Sequence, residues 1–254
     1  DTHKTKHNTP VIMLNLDVQP GSGLGFFRLG MPISEAIGLI EEHNTDISRV
    51  EIQYHQSEPL ERDITLNLVG EGILLSFDPF SQRLRLIEVH NLARVLLSYE
   101  HTVFSGGGME PTFAQVYNTF GPSYPGDYDH ENNRYVLQYP GLSFTFSIPA
   151  EFRHLYTKDT NELPMEMPNG VSPLASCIYL YAGGRLRNPT LPPLGEGSLY
   201  YQPVLARLGQ GVLFASSSTR AAVSSTAVAG GISSSGSSGS KGRRQEAGVV
   251  VLLV

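Results

Sequence analysis

Between positions 127 and 131 stand four side chains able to bind a cation or move a proton: Asp127, Asp129, His130 and Glu131. Their spacing matches neither an EF-hand calcium loop nor a His-Glu zinc motif. The run reads as a solvated loop, and no metal site is expected. Gly21-Ser22-Gly23-Leu24-Gly25 has the composition of a phosphate-cradling loop. Such a loop needs a helix N-terminus directly after the glycines, whose free N–H groups then face the anion. Here Phe26-Phe27-Arg28 follows, so a flexible turn is expected.

A nucleophile is no better supported. Cys177 is the single cysteine and sits in the apolar run Cys177-Ile178-Tyr179-Leu180-Tyr181, where a small buried hydrophobe is the default and a thiolate would be poorly served. One cysteine forms no internal disulfide, and a reducing, intracellular compartment is the simplest expectation. His43, His55, His90, His101 and His154 are scattered, and none stands in a pattern with Ser or Asp that suggests nucleophilic catalysis. His3 and His7 could chelate a metal only adventitiously. Glu41 and Glu42 are neighbours on a helix and so do not face each other. No catalytic residue, cofactor or metal is expected, and the chain reads as a binding module.

The aromatic residues point to recognition. Tyr124, Tyr128 and Tyr135 lie around a segment with Pro122, Pro125 and Gly126. Tyrosine is enriched at interface hot spots, and exposed loops carry binding residues. Tyr124, Pro125, Tyr128 and Tyr135 are therefore a candidate partner surface; the competing reading is a loop packed on its own sheet. The net charge of −6 and pI near 5.7 give no footprint for nucleic acid. No apolar run approaches the ~20 residues that span a bilayer as a helix.

Elements must position these groups. Hydrophobic residues at 40% and charged ones at 17%, with twelve Tyr and eleven Phe, suit a globular chain of many short strands. Residues 1–12 read as a polar extension before a natural start at Met13. Leu14, Leu16 and Val18 then alternate as in a strand. Pro32 opens a helix with Ile33, Ala36, Ile37 and Ile40 on one face, and Asn44 is its expected left-handed stop.

Period-two runs follow at Val50-Ile52-Tyr54, Ile64-Leu66-Leu68, Ile73-Leu75-Phe77, Leu84 to Ile87 and Val95-Leu97-Tyr99. Their short connections favour an antiparallel meander. Thr112 and Gln115 form a capping box before Phe113, Val116, Tyr117 and Phe120, and Gly121-Pro122 ends that helix. Tyr135-Leu137-Tyr139 and Leu142-Phe144-Phe146-Ile148 flank a Pro140-Gly141 turn, and the Cys177 strand comes last. The expected fold is α+β: a helix-then-antiparallel-sheet unit in two copies, 13–108 and 109–201. A Ser/Gly-rich disordered tail is expected over 202–254.

Leu29-Gly30-Met31-Pro32, Leu66-Asn67-Leu68, the run Gly72 to Asp78 and the run Gln82 to Val89 resemble the phagosome assembly factor family. Pro111-Thr112, Phe120-Gly121, Tyr124-Pro125-Gly126 and Gly141-Leu142-Ser143-Phe144 continue the match in order, over roughly Met13 to Leu194. The resemblance implies a cytoplasmic adaptor of autophagy that joins a WD40-propeller partner and is recruited to the phagophore assembly site. Phosphoinositide recognition on the membrane is implied through that assembly, and no enzymatic activity. An alternative association is with vesicle trafficking at the Golgi and trans-Golgi network. A small-molecule-binding or hydrolytic domain, the remaining alternative, would require a deep pocket of tyrosines and convergent polar groups. Family members continue for about as long again, whereas here a Ser/Gly tail takes over.

Overall fold

The computed structural model describes residues 13–47, 49–123, 126–155, 162–194 and 247–253. The chain divides into two compact units, residues 1–193 with 247–254 and residues 194–246. All the elements described here belong to the first.

The opening alternation gives β1 (Asn15–Gln19), followed by the short strands β2 (Gly23–Leu24) and β3 (Phe27–Arg28). Helix α1 (Ile33–Glu42) then buries Ala36 and Ile40. Pro32 is its N-cap, with φ −67° and ψ 152°, one place before the first helical residue. The helix does not end on a left-handed Asn44. His43 closes it at φ −104°, its backbone N–H donating to the carbonyls of Leu39 and Ile40 and its ring stacked on Phe26 at 4.1 Å.

The period-two runs become β4 (Arg49–His55), β5 (Ile64–Leu68), β6 (Ile73–Phe77), β7 (Leu84–Val89) and β8 (Leu96–Tyr99), with β9 (Thr102–Ser105) added after a tight turn. Helix α2 (Phe113–Phe120) carries the expected capping box: Gln115 N–H donates to Thr112 Oγ1 at 3.2 Å and Thr112 N–H to Gln115 Oε1 at 2.8 Å. Thr112→Ala removes that reciprocal pair, and chemical denaturation should show a loss of about 1 kcal/mol. After α2 come β10 (Asp127–Asp129), β11 (Arg134–Tyr139) and β12 (Leu142–Ser147), then a 3-10 turn at Ala150–Leu155. The chain ends in β13 (Ala175–Tyr181), the hairpin β14 (Gly183–Arg185) and β15 (Asn188–Thr190), and β16 (Ala247–Leu253).

Nine strands form one antiparallel sheet in the order β10-β11-β12-β13-β7-β6-β5-β4-β16. Strands β4 to β7 step inward from one side and β10 to β13 from the other. They meet where Val89, Glu88, Ile87 and Leu86 lie opposite Ile178, Tyr179, Leu180 and Tyr181. Strands from both expected units thus share one sheet, and their side chains enter one core cluster. The architecture is sheet-rich α+β.

Strand β8 leaves the expected meander. It pairs in parallel with β1, Leu16 opposite Leu97, in a second sheet ordered β3-β2-β1-β8-β9. A parallel pair needs a long crossover, and the run from β2 to β7 supplies it. The tail is also corrected at its end: Ala247–Leu253, read as disordered, is a strand whose backbone pairs with all seven residues of β4. Residues 1–12 and 202–246 lie outside the described residues.

Candidate functional site

The β10–β11 hairpin decides where the candidate aromatics go. Tyr128 lies directly opposite Tyr135, so both occupy one face of the sheet. That face is the core side. Tyr135 is only 2% exposed, packs edge-on to Phe113 at 6.3 Å, and accepts the Gly126 N–H at its hydroxyl at 2.8 Å. It anchors its own loop and is not available to a partner, which corrects its place in the candidate surface. Tyr128 is half-buried against the core, and its hydroxyl lies 3.3 Å from Asn133 Oδ1. Tyr124 and Pro125 lie outside the described residues.

The opposite face of the same strands carries the neighbours that alternate with the tyrosines. Asp127 stands opposite Val136 and Asp129 opposite Arg134. With Gln138, Thr145 and Tyr179 they floor a basin of about 470 Å³, and Arg185, Leu186 and Arg187 of the β14–β15 hairpin form its wall. The acidic run 127–131 is thus part strand, not a free loop. Gln138 Nε2 donates to Asp127 at 3.1 Å. Asp129 closes the hairpin, accepting from the side chain of Asn132 at 2.8 Å and from the backbone N–H groups of Glu131 and Asn132. The Asn132 side chain holds the Asp129 carboxyl below the usual carboxylate range, with those backbone N–H groups adding to the effect.

Among the described residues the Arg–carboxylate ion pairs join Arg49 to Glu51, Arg62 to Glu58 and Arg85 to Asp63. Arg134, Arg185 and Arg187 take part in none of these. Three guanidiniums around one basin can grip planar anionic groups through paired N–H donors.

Reactive chemistry is poorly served here. Burial pushes the Cys177 thiol well above its ordinary range, and Glu88 adds to the shift. Burial likewise raises the Tyr179 phenol, with Cys177 and Glu88 contributing. Both groups are neutral at pH 7 and serve as hydrogen-bonding groups. Cys177 should therefore resist alkylation by iodoacetamide at pH 8 in the native chain and react once urea unfolds it. Rapid labelling of the folded chain would overturn that placement.

Gly21 N–H donates to the Gly141 carbonyl at 3.1 Å, so the glycine-rich run is a turn that touches the large sheet. Among the described residues no group of three or more His, Cys, Asp or Glu is placed to hold a metal ion. No helix of the described residues is long and apolar enough to cross a membrane.

Reading the sequence missed Arg134, Arg185 and Arg187. A signal for Arg134 existed: Tyr135-Leu137-Tyr139 reads as the inward set of a strand, which sends Arg134, Val136 and Gln138 outward. For Arg185 and Arg187 only a turn signature was available, two glycines before and Asn188-Pro189 after.

Fold and basin together define a sheet-rich α+β protein whose larger sheet carries a basin lined by Arg134, Arg185 and Arg187 beside Asp127 and Asp129. The family model for phagosome assembly factor 1 matches residues 23–230, and the chain belongs to that family. A PHAF1 protein of Arabidopsis thaliana is 36% identical over 207 residues, covering 78% of this chain and 50% of the relative. One of Drosophila melanogaster is 37% identical over 187 residues, 71% of this chain and 42% of the relative. One of Caenorhabditis elegans is 40% identical over 129 residues, 51% of this chain and 31% of the relative. The chain spans half or less of the length of these relatives. No solved structure matches it.

Proposed function

We propose that this chain is a non-catalytic assembly factor of autophagy, which joins a WD40-propeller protein in the cytoplasm and is recruited with it to the forming phagophore. The observation that carries the reading is the match to the phagosome assembly factor model over residues 23–230. On this reading the basin is the surface that meets the propeller. Arg134, Arg185 and Arg187 meet acidic side chains of the propeller. Phosphoinositide on the membrane is engaged by the assembled pair.

Charge reversal tests this directly. The triple variant Arg134→Glu, Arg185→Glu and Arg187→Glu changes partly or fully exposed side chains, so folding should survive. Co-purification with the propeller protein should fall by about tenfold or more, as expected when like charges are brought together across an interface. Recruitment to phagophores on starvation should fall with it. Wild-type chain that neither co-purifies with the propeller nor reaches phagophores would overturn the function. A folded triple variant that still does both would overturn the basin as the contact.

A further inference from the structure

A β-sheet exposes unpaired N–H and C=O groups along its edges, and proteins tolerate short edges far better than long ones. Edge strand β3 has two residues, β10 three and β9 four. Strand β4, with seven, is covered along its whole length by β16, which has seven residues itself and is the outer strand on that side of the larger sheet. The two pair antiparallel, from Ala247 opposite His55 to Leu253 opposite Arg49. Strand β4 lies inside the residues matched by the family model, 23–230, whereas β16 lies beyond them.

The acceptor edge therefore belongs to the part of the chain that the family model covers, and the strand that fills it comes from outside. We infer that β4 is a strand-accepting site for an extended, apolar segment of a partner protein, occupied in this chain by its own β16. Docking is by strand addition: the backbone hydrogen bonds of Arg49–His55 supply affinity, and side-chain positions along the added strand supply selectivity. A partner's segment must compete at this edge with a strand of the same chain, whose pairing is intramolecular. The intramolecular strand thus acts as a gate, and a partner's segment enters only by displacing it. The inference stands on the sheet alone and does not depend on the autophagy reading.

The probe is a labelled synthetic peptide with the sequence of residues 247–253, flanked by lysines for solubility. It is added to the full chain and to a chain ending at Glu246. The shortened chain should bind the peptide one to one and at least about tenfold more tightly than the full chain, since the intramolecular competitor is gone. A second peptide, N-methylated at alternate residues on its ladder-forming edge, should not bind. Amide exchange supplies an independent readout. Protection within Arg49–His55 should fall in the shortened chain and return with the unmodified peptide. Equal binding to both chains, or binding that survives N-methylation, would overturn the inference. So would a shortened chain that dimerises through β4 and refuses the peptide. Should the shortened chain fail to fold, Val250→Pro in the full chain replaces it, because proline breaks the added ladder without deleting the segment. The same outcomes then decide.

Discussion

Phe144→Ala should lower the free energy of unfolding by about 3–5 kcal/mol, among the largest effects of any single substitution in this chain. Phe144 is fully buried on β12. Its ring meets Phe120 of α2 at 5.1 Å, Phe104 of β9 at 6.5 Å, and Tyr139 and Phe146 at 6.2 and 6.5 Å. It thus joins the second helix, the smaller sheet and the larger sheet at one point. Truncation removes the transfer energy of the ring and leaves a void that three elements would have to move to fill. Urea denaturation checks the value. Phe80→Ala is the control, because Phe80 is 67% exposed and its loss should cost less than about 0.5 kcal/mol. A Phe144→Ala loss below about 1 kcal/mol would mean that the aromatic cluster does not hold the two sheets together.

Gly141→Ala should destabilise by about 2–5 kcal/mol, from two causes that can be separated. Gly141 sits in the β11–β12 turn at φ 73°, a left-handed conformation that costs a side-chain-bearing residue about 1–3 kcal/mol. Its carbonyl also accepts the N–H groups of Gly21 and Tyr181, at 3.1 and 3.2 Å. A Cβ at this point would collide with the backbone nitrogen and Cα of Gly21, adding about 1–3 kcal/mol of overpacking. Gly107→Ala separates the two, since Gly107 has φ 65° but nothing within 4 Å of an added Cβ. Gly107→Ala reports the strain alone, and the excess loss at Gly141 reports the glycine-to-glycine contact. Thermal melts of both variants decide. Equal shifts in Tm would show that the turns of β1–β2 and β11–β12 do not need to touch.

That contact also explains motifs that otherwise look arbitrary. Gly141-Leu142-Ser143-Phe144 reads in the sequence as a tight turn leading into a strand. In the folded chain Gly141 admits the Gly21 turn, Leu142 and Phe144 fill the core, and Ser143 Oγ lies 2.8 Å from the Tyr181 hydroxyl across β13.

Local order is legible in the residues alone. The spacing of Ile33, Ala36 and Ile40, the Thr112–Gln115 box and the period-two runs specify two helices and most of the strands, because each depends on contacts within a few residues. Those same runs name most of the core, since a residue repeated every second position lies on one face. The inward run Tyr135-Leu137-Tyr139 even carried the correction to the candidate surface, because a strand residue cannot face the core and a partner at once.

The pairing of distant strands is settled in three dimensions. Nothing local tells β8 to lie parallel to β1, some eighty positions earlier in the chain, or β7 to meet β13. Such pairings are chosen by whether whole apolar faces close over one core, a property no window of sequence contains. The basin has the same origin. Arg134, Arg185 and Arg187 come from two hairpins brought side by side, and β16 covers β4 from the far end of the chain. A short Val- and Leu-rich run is apolar wherever it stands; it becomes a strand only where a long edge offers unpaired N–H and C=O groups to receive it.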